Sequence, residues 1–519
     1  MILKLQKESK LKTINMKKVL ILLVLSLTLS YTFANNLQFG ALTRPDATHV
    51  QFTIQWDNSW KVTGGPANWD AVWIFLKYQD CATNNLPWQH VGLSTTSLDH
   101  TVTGGILQID AVSDGKGVFI HRVAAGSGNI ASATVTLKMT ITDASFNYQL
   151  NGIEMVYVPQ GAFYIGDGNR GGGNLYGFTG NGALAPLLID NTVQTTGLTA
   201  AQYLSNAAWG SSAALPSTFP MGYNAFYVMK YEVSQEAYAT FLNCLTYDQQ
   251  LTRFSNAPNS APGTFAVATL PNPQNCRNGI RIKTAGQVSN IPAVVACDLN
   301  LNGTFDEVDD GQNIACNWLS WADLMAFLDW ACIRPMTEFE FEKVCRGTAT
   351  PVVGEYAWGT TTILAANSGA IVYPGAANEV SITSGAGTCA YGVGITNNRG
   401  PLRCGFAANA TSNRAVAGAT FYGVMEMSGN IIEQCLGGYN SNYSAFTTAN
   451  GDGNLSATGI ADTPNWPLLG GGNGGGGTSK GGNWFDAAGI CVTSNRDWMT
   501  SNLNQGKDHR FGGRGVRVP

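Results

Sequence analysis

Residues His49 to Trp56 read His-Val-Gln-Phe-Thr-Ile-Gln-Trp, with every second side chain apolar from Val50 onward. A period of two is what a strand with one buried face requires. Ala71 to Tyr78 is a nearly continuous apolar run and predicts a more deeply buried strand. Gly117 to Val123 and Ala133 to Ile141 add two more strand patterns, and clusters of Gly, Ser and Asn separate the four. No helical period interrupts them. Short strands with regular turn signals predict an antiparallel β-sandwich over residues 35–147. His49, His90, His100 and His121 lie in this stretch at spacings that match no metal motif, so they read as structural or surface histidines.

At 519 residues the chain has length for two or more cores. Charged residues make up 12% of it, about half the ~25% of ordinary soluble domains. With a net charge of -4 there is no basic footprint for nucleic acid. Neutral polar surface and 61 glycines suit a loop-rich extracellular chain, and an ordinary secreted protein is the plain alternative.

The N-terminus predicts export. Met16-Lys17-Lys18 is a short basic region, Val19 to Leu29 an apolar run, and Thr32-Phe33-Ala34 a cleavage site, which makes 1–34 a signal peptide. Met16 is the expected start, with Met1 to Asn15 an extension. The run is shorter than the ~20 residues that span a bilayer, and no later segment reads as transmembrane. The expected location is extracellular or at the cell surface, with the periplasm as alternative. Export permits disulfides. The 11 cysteines leave at least one unpaired within the chain, only Cys81 falls in the first unit, and no CxxC pair exists.

Residues 152–519 carry a series of ordered segments. Met155-Val156-Tyr157-Val158-Pro159 leads into Gly161 and Phe163, and Phe226 to Tyr238 contains Tyr231-Glu232-Val233-Ser234. Trp321 to Trp330 has helical period behind the N-cap candidate Ser320, and Ser234 caps a second helix. In Arg334-Pro335-Met336-Thr337-Glu338-Phe339-Glu340, Thr337 and Glu340 have capping-box spacing. Tyr356-Ala357-Trp358-Gly359, Tyr422 to Glu433 with Ser428-Gly429-Asn430, Lys480-Gly481-Gly482-Asn483-Trp484 and Gly512 to Arg517 complete the series. Together they resemble the formylglycine-generating enzyme family, the sulfatase-modifying-factor domain. The resemblance implies a fold related to C-type lectins, rich in irregular chain. The expected class is α+β, a β-sandwich followed by this domain, with long Gly-rich loops at Gly166 to Pro220 and Gly470 to Gly477.

Asp298-Leu299-Asn300-Leu301-Asn302-Gly303-Thr304-Phe305-Asp306-Glu307-Val308-Asp309 follows a calcium-loop pattern. Oxygen side chains alternate, Gly permits the sharp bend, and an acid closes the loop. The expected ligands are Asp298, Asn300, Asn302, Thr304, Asp306 and Asp309, with a Cys297–Cys316 disulfide bracketing the loop. A metal-free acidic turn is the alternative.

The family resemblance implies further sites. It places a second structural calcium at Asn430 and Glu433, against the alternative of a turn Asn and a surface Glu. Copper-using relatives hold Cu(I) with two cysteines after the Gly-Gly turn. Here the first position is Asp486 and only Cys491 remains. Thiolate selects Cu(I) and carboxylate does not, which argues against copper and leaves Cys491 the sole catalytic candidate if the chain is an oxidase. Trp484, Asn495, Arg496, Trp498 and Arg510 could form a binding surface, against the alternative that they are core.

These readings converge on an exported, non-catalytic structural or binding protein that associates with itself or with other surface proteins. The alternatives are a formylglycine-generating oxidase acting on a sulfatase cysteine and a lectin-like module for a glycan or protein ligand.

Overall fold

The computed structural model describes residues 36–80, 87–142, 146–169, 174, 176–178, 183–199, 202–204, 214–269, 276–366, 371–393, 399–409, 411–437, 445–467, 477–496 and 506–519. The export signal, Cys81, residues 470–476 and Trp498 lie outside them. The class is α+β, dominated by strands with a few short helices.

Two sheets face each other in the first unit. One runs Gln38–Phe39, His49–Lys61, Gly126–Lys138, Thr101–Val102. Its alternating side chains Val50, Phe52, Ile54 and Trp56 pack with Val72, Ile74 and Leu76 of the opposite sheet. That second sheet continues into the rest of the chain. Its order is Arg334–Pro335, Gly515–Arg517, Phe226–Met229, Phe146–Val158, Asp70–Asp80, Val118–Arg122, Leu107–Ala111, with Gln89–His90 paired to Asp70–Asp80.

Strand Phe146–Val158 makes this continuity. Residues from Phe146 to Val156 pair with Asp80 to Asp70, and Met155 to Val158 pair with Met229 to Phe226. The segments read as two units therefore share one hydrogen-bonded sheet, and Ala34–Pro519 forms one compact body. This explains the unbroken apolar run at 71–78. Val72, Ile74 and Leu76 face the sandwich interior. Ala71, Trp73 and Phe75 face a second core with Phe241, Phe327 and Trp330. A strand covered on both faces has no polar side to alternate.

The helices start where the caps were read. Ser234 accepts from Ala237 N–H at the start of Gln235–Asn243. Ser320 with Asp323 forms a capping box on Trp321–Trp330, and Thr337 with Glu340 forms one on Glu338–Arg346. Every residue of Glu338–Arg346 is buried, so its charges need internal partners. Glu340 receives Arg334 through two bonds of 2.6 and 2.9 Å. Glu338 pairs with Arg496 at 2.6 Å, and Lys343 donates to the Tyr223 carbonyl at 3.1 Å. The Gly166–Pro220 stretch holds more order than a loop: Phe163–Ile165 pairs with Leu187–Ile189, and helix Asn191–Thr196 is capped by Asp190.

Candidate functional site

Three distant segments meet at the Gly481–Gly482 turn. Gly477–Lys480 pairs with Ile432–Leu436, which also pairs with Phe511–Gly512. Lys480 Nζ reaches Glu342 Oε1 at 3.1 Å, with both side chains fully buried, and that fixes the entry to the turn. Beyond it, the Asp486 carboxylate accepts from Asn483 Nδ2 at 2.7 Å and lies 3.9 Å from Arg510. It is thus held by polar neighbours. Cys491 is 0% exposed and sits in an apolar cluster with Tyr356, Trp358, Val424 and Met427. Its cluster also holds Cys389, a residue that sequence spacing does not reveal. The Cys389 thiol donates to the Ser428 carbonyl at 2.9 Å and interacts electrostatically with that of Cys491. Burial pushes the Cys389 thiol well above its ordinary value. Only a distant cysteine in an otherwise anonymous Gly-rich segment carried the signal.

Asn430 and Glu433 lie in a neighbouring buried network. Asn430 Oδ1 accepts from Leu402 N–H at 2.8 Å, and its amide donates to Glu232 Oε2 at 2.6 Å. Glu433 Oε1 accepts from Arg514 Nη2 at 2.7 Å and Nε at 3.1 Å. The side-chain oxygen of Asn430 and Oε1 of Glu433 thus have protein partners, while Oε2 of Glu433 is buried without a hydrogen-bond partner. Glu232, Glu426 and Glu433 all act on the charge of Arg514. Burial pushes Glu426 and Glu433 up to about 7 against the pull of Arg514. It also raises Glu232 well above the usual carboxylate range, with the Glu433 charge adding to the effect.

The acidic loop partly matches its expected geometry. Asn302 N–H donates to Asn300 Oδ1 at 3.0 Å and Thr304 N–H to Asn302 Oδ1 at 2.7 Å. These bonds curl the chain before Gly303, where φ is +81°. Ligand oxygens of Glu307, Asp309 and Asp310 come within 4.8 Å of one another. Asp310 is 0% and Asp298 2% exposed, and each keeps one carboxylate oxygen without a partner. Burial raises Asp310, and the charges of Asp298, Asp309 and Glu307 add to the rise. Buried carboxylates in mutual repulsion fit a hard cation.

Two corrections follow for this loop. Asp306 turns out of the cluster: its carboxylate accepts from Cys297 N–H at 3.2 Å and meets Lys283 at 3.3 Å. Glu307 and Asp310, not named from the pattern, lie in the cluster with Asp309. Cys297 and Cys316 are buried unbonded thiols and form no staple. Cys316 Sγ instead contacts the Asn317 carbonyl at 3.7 Å.

Of the aromatic and basic candidates near the C-terminus, the described residues Trp484, Asn495 and Arg496 are buried. Trp484 is 1% exposed and donates to the His509 carbonyl at 3.2 Å. Arg496 is 0% exposed, and its Nη2 donates to Glu338 Oε1 at 2.6 Å. Asn495 is buried and bridges Asn174. Arg510 is held by Asp508 at 2.9 and 3.0 Å. For Arg496 the partner is a buried charge from a distant helix, which sequence proximity cannot show.

No curated protein matches the chain significantly. One solved structure that resembles part of it comes from work on pH-induced modulation of Streptococcus parasanguinis adhesion by Fap1 fimbriae. The two share 14% identity over 30% of this chain and 82% of the other, with a TM-score of 0.12. Residues 142–517 match the family described as the sulfatase-modifying factor enzyme 1-like domain. That span includes the capped helices, the Gly-Gly turn and the Glu433–Arg514 network, and on it the chain belongs to the sulfatase-modifying factor enzyme 1-like family.

Proposed function

We propose that the protein is an exported, non-catalytic structural or binding component of a cell surface or extracellular assembly. The observation that carries the non-catalytic reading is Asp486. It stands where relatives with copper chemistry are expected to place a thiolate, and its carboxylate is taken by Asn483. Incubation with Cu(I), oxygen and a Cys-x-Pro-x-Arg peptide should yield no aldehyde by mass spectrometry. Turnover that disappears in Cys491→Ser would overturn the reading. The oxidase remains the second reading because one specific observation favours it, the thiol of Cys389 in the same buried cluster as Cys491.

Self-association is supported by strand Gly126–Lys138. On its outer side the neighbouring strand pairs only with Val135 and Thr136. Residues Gly126 to Ser132 carry no charge and are exposed except for Ile130. An uncharged open edge is a template for another strand. Light scattering and electron microscopy should show oligomers or filaments that Ala131→Lys disperses. A monodisperse monomer at high concentration in calcium would leave the monomeric binding module as the better account. Calcium at Asp298, Asn300, Asp309 and Asp310 is proposed as a structural ion that holds the acidic loop ahead of helix Trp321–Trp330.

A further inference from the structure

Three residues of the first unit hold down one distant stretch of the chain, residues 451–463. Lys116 Nζ donates to the Asp452 carbonyl, Lys77 Nζ to the Gly453 carbonyl, and the His90 backbone N–H to Asn454 Oδ1 at 3.2 Å. On the other side of this strap, the buried Asp329 carboxylate accepts from the Asp452 and Asp462 N–H groups, each at 2.9 Å, and from the Thr463 hydroxyl at 2.7 Å. The His90 ring lies against the strap. Its Nε2 is 2.8 Å from the Lys116 carbonyl, which can only accept, so Nε2 carries the proton and Nδ1 the lone pair. Nδ1 faces the Lys77 amine at 3.4 Å and the Cys332 thiol at 3.3 Å. Gly453 packs directly on the pair. Its φ is +90°, and a Cβ there would lie 2.5 Å from Nδ1 and 2.7 Å from Cys332 Sγ. Lys77 and Cys332 are both 0% exposed.

We propose that His90 is an acid-sensitive latch: a second ring proton, taken from solvent onto Nδ1, releases residues 451–463 from the first unit, and the neutral ring holds them in place. A proton on Nδ1 would point at the Lys77 ammonium, at a thiol whose sulfur accepts only weakly, and at Gly453, whose carbonyl Lys77 already engages. The other charges that act on the ring, Lys116 and Arg517, are also positive. The nearby carboxylates have other partners: Asp114 meets Arg517 at 2.7 Å, Asp452 accepts from the Asn454 N–H at 2.8 Å, and Asp329 holds the strap itself. Burial and the Lys77 charge accordingly keep the ring well below its usual 6.5. Burial lowers Lys77 only to about 8, so it stays charged in acid. Once the strap lifts, the ring meets water and titrates near about 6.5. The open state then binds a proton that the closed state refuses. Opening therefore gains up to about tenfold per pH unit as pH falls below about 6.5, and is flat above it. The inference goes beyond the function proposed above and does not depend on it.

The test is hydrogen exchange by mass spectrometry on the full chain from about pH 7.5 down to about pH 5, read as protection factors so that the intrinsic pH dependence of exchange is divided out. Peptides covering 451–463 should lose protection by up to about tenfold per unit below about pH 6.5. Strand His49–Lys61, in the opposite sheet of the first unit, should keep its protection. In His90→Gln the side-chain amide can still donate to the Lys116 carbonyl but takes up no proton, and the strap should show a flat profile. Carbon-13 histidine NMR on the wild-type chain keeps the matter decidable if that variant does not fold: the His90 ring should gain its second proton over the same pH range in which the strap loses protection. A strap that stays protected while the ring titrates would overturn the latch. So would the same acid profile in His90→Gln, which would assign the opening to the Asp329 carboxylate, or loss of protection in His49–Lys61 together with the strap, which would make the event global unfolding.

Discussion

Arg517 Nη2 lies 2.7 Å from both carboxylate oxygens of Asp114. The Arg517 guanidinium carbon also sits 4.1 Å from the centre of the Trp73 ring. The last strand of the chain is thereby tied to a turn of the first unit. The pair is lopsided, with Arg517 1% and Asp114 39% exposed.

Exposed ion pairs contribute about 0–1 kcal/mol. Here Asp114→Ala leaves a buried guanidinium without its carboxylate, and a loss of about 1–3 kcal/mol is expected. Denaturant unfolding measures it. A change below about 0.5 kcal/mol would place the pair among ordinary surface pairs.

The shared sheet predicts failure of a fragment. A chain beginning at residue 152 lacks strand Asp70–Asp80, the partner of Phe146–Val158 along most of its length. It also lacks Trp73 and Phe75 from the larger core. Residues 152–519 alone should be insoluble or molten, with near-ultraviolet circular dichroism lost. In the full chain, Trp73→Ala should cost about 3–5 kcal/mol and lower one cooperative transition. Two separate transitions would show that the halves fold independently.

Calcium should raise the melting temperature, because an ion that binds only the folded state stabilises it by about 2.7 kcal/mol at a hundredfold excess over Kd. Asp310→Asn should abolish the rise, since Asp310 is buried within the carboxylate cluster. Asp306→Asn should keep it, because that carboxylate points to Lys283. The reverse pattern would return the site to the ligand set read from sequence.

Lys343 gives a pH signature. Burial lowers its amine to about 7 from an ordinary 10.5. Above pH 7 the folded chain sheds this proton while the unfolded chain holds it to about 10.5. The unfolded state binds the extra proton in that window, so stability from this group rises with pH there, by up to about 1.4 kcal/mol per unit. Below pH 7 both states hold the proton and the contribution is flat. Urea unfolding from pH 7 to 10 should show a rise that shrinks in Lys343→Met. An identical profile in the variant would assign it elsewhere.

Much of the scaffold was legible because its signals are local. Ser234, Ser320 and Thr337 announce helix starts by bonding within three residues. The alternation at His49 to Trp56 marks a one-sided strand, and the ordered segments from Met155 to Arg517 mark the family. Each depends on neighbours in sequence, so the chain states it directly.

The site was decided by contacts that sequence order does not carry. Asp306 has a suitable position in the loop pattern, yet Lys283 from another strand draws it away. Trp484 and Arg496 read as surface until Glu338 and the core enclose them. Asp486 breaks the local cysteine pair, while Cys389 brings a thiol to the cluster of Cys491 from a segment with no motif. Sequence by itself determined the family, the strand periods and the caps, because these follow from backbone hydrogen bonding and from side chains a few positions apart. Only the tertiary structure decided which charges pair and which thiols share a core. Burial makes an unpartnered polar group costly, and its partner is whichever side chain the packed sheet and turns bring within reach.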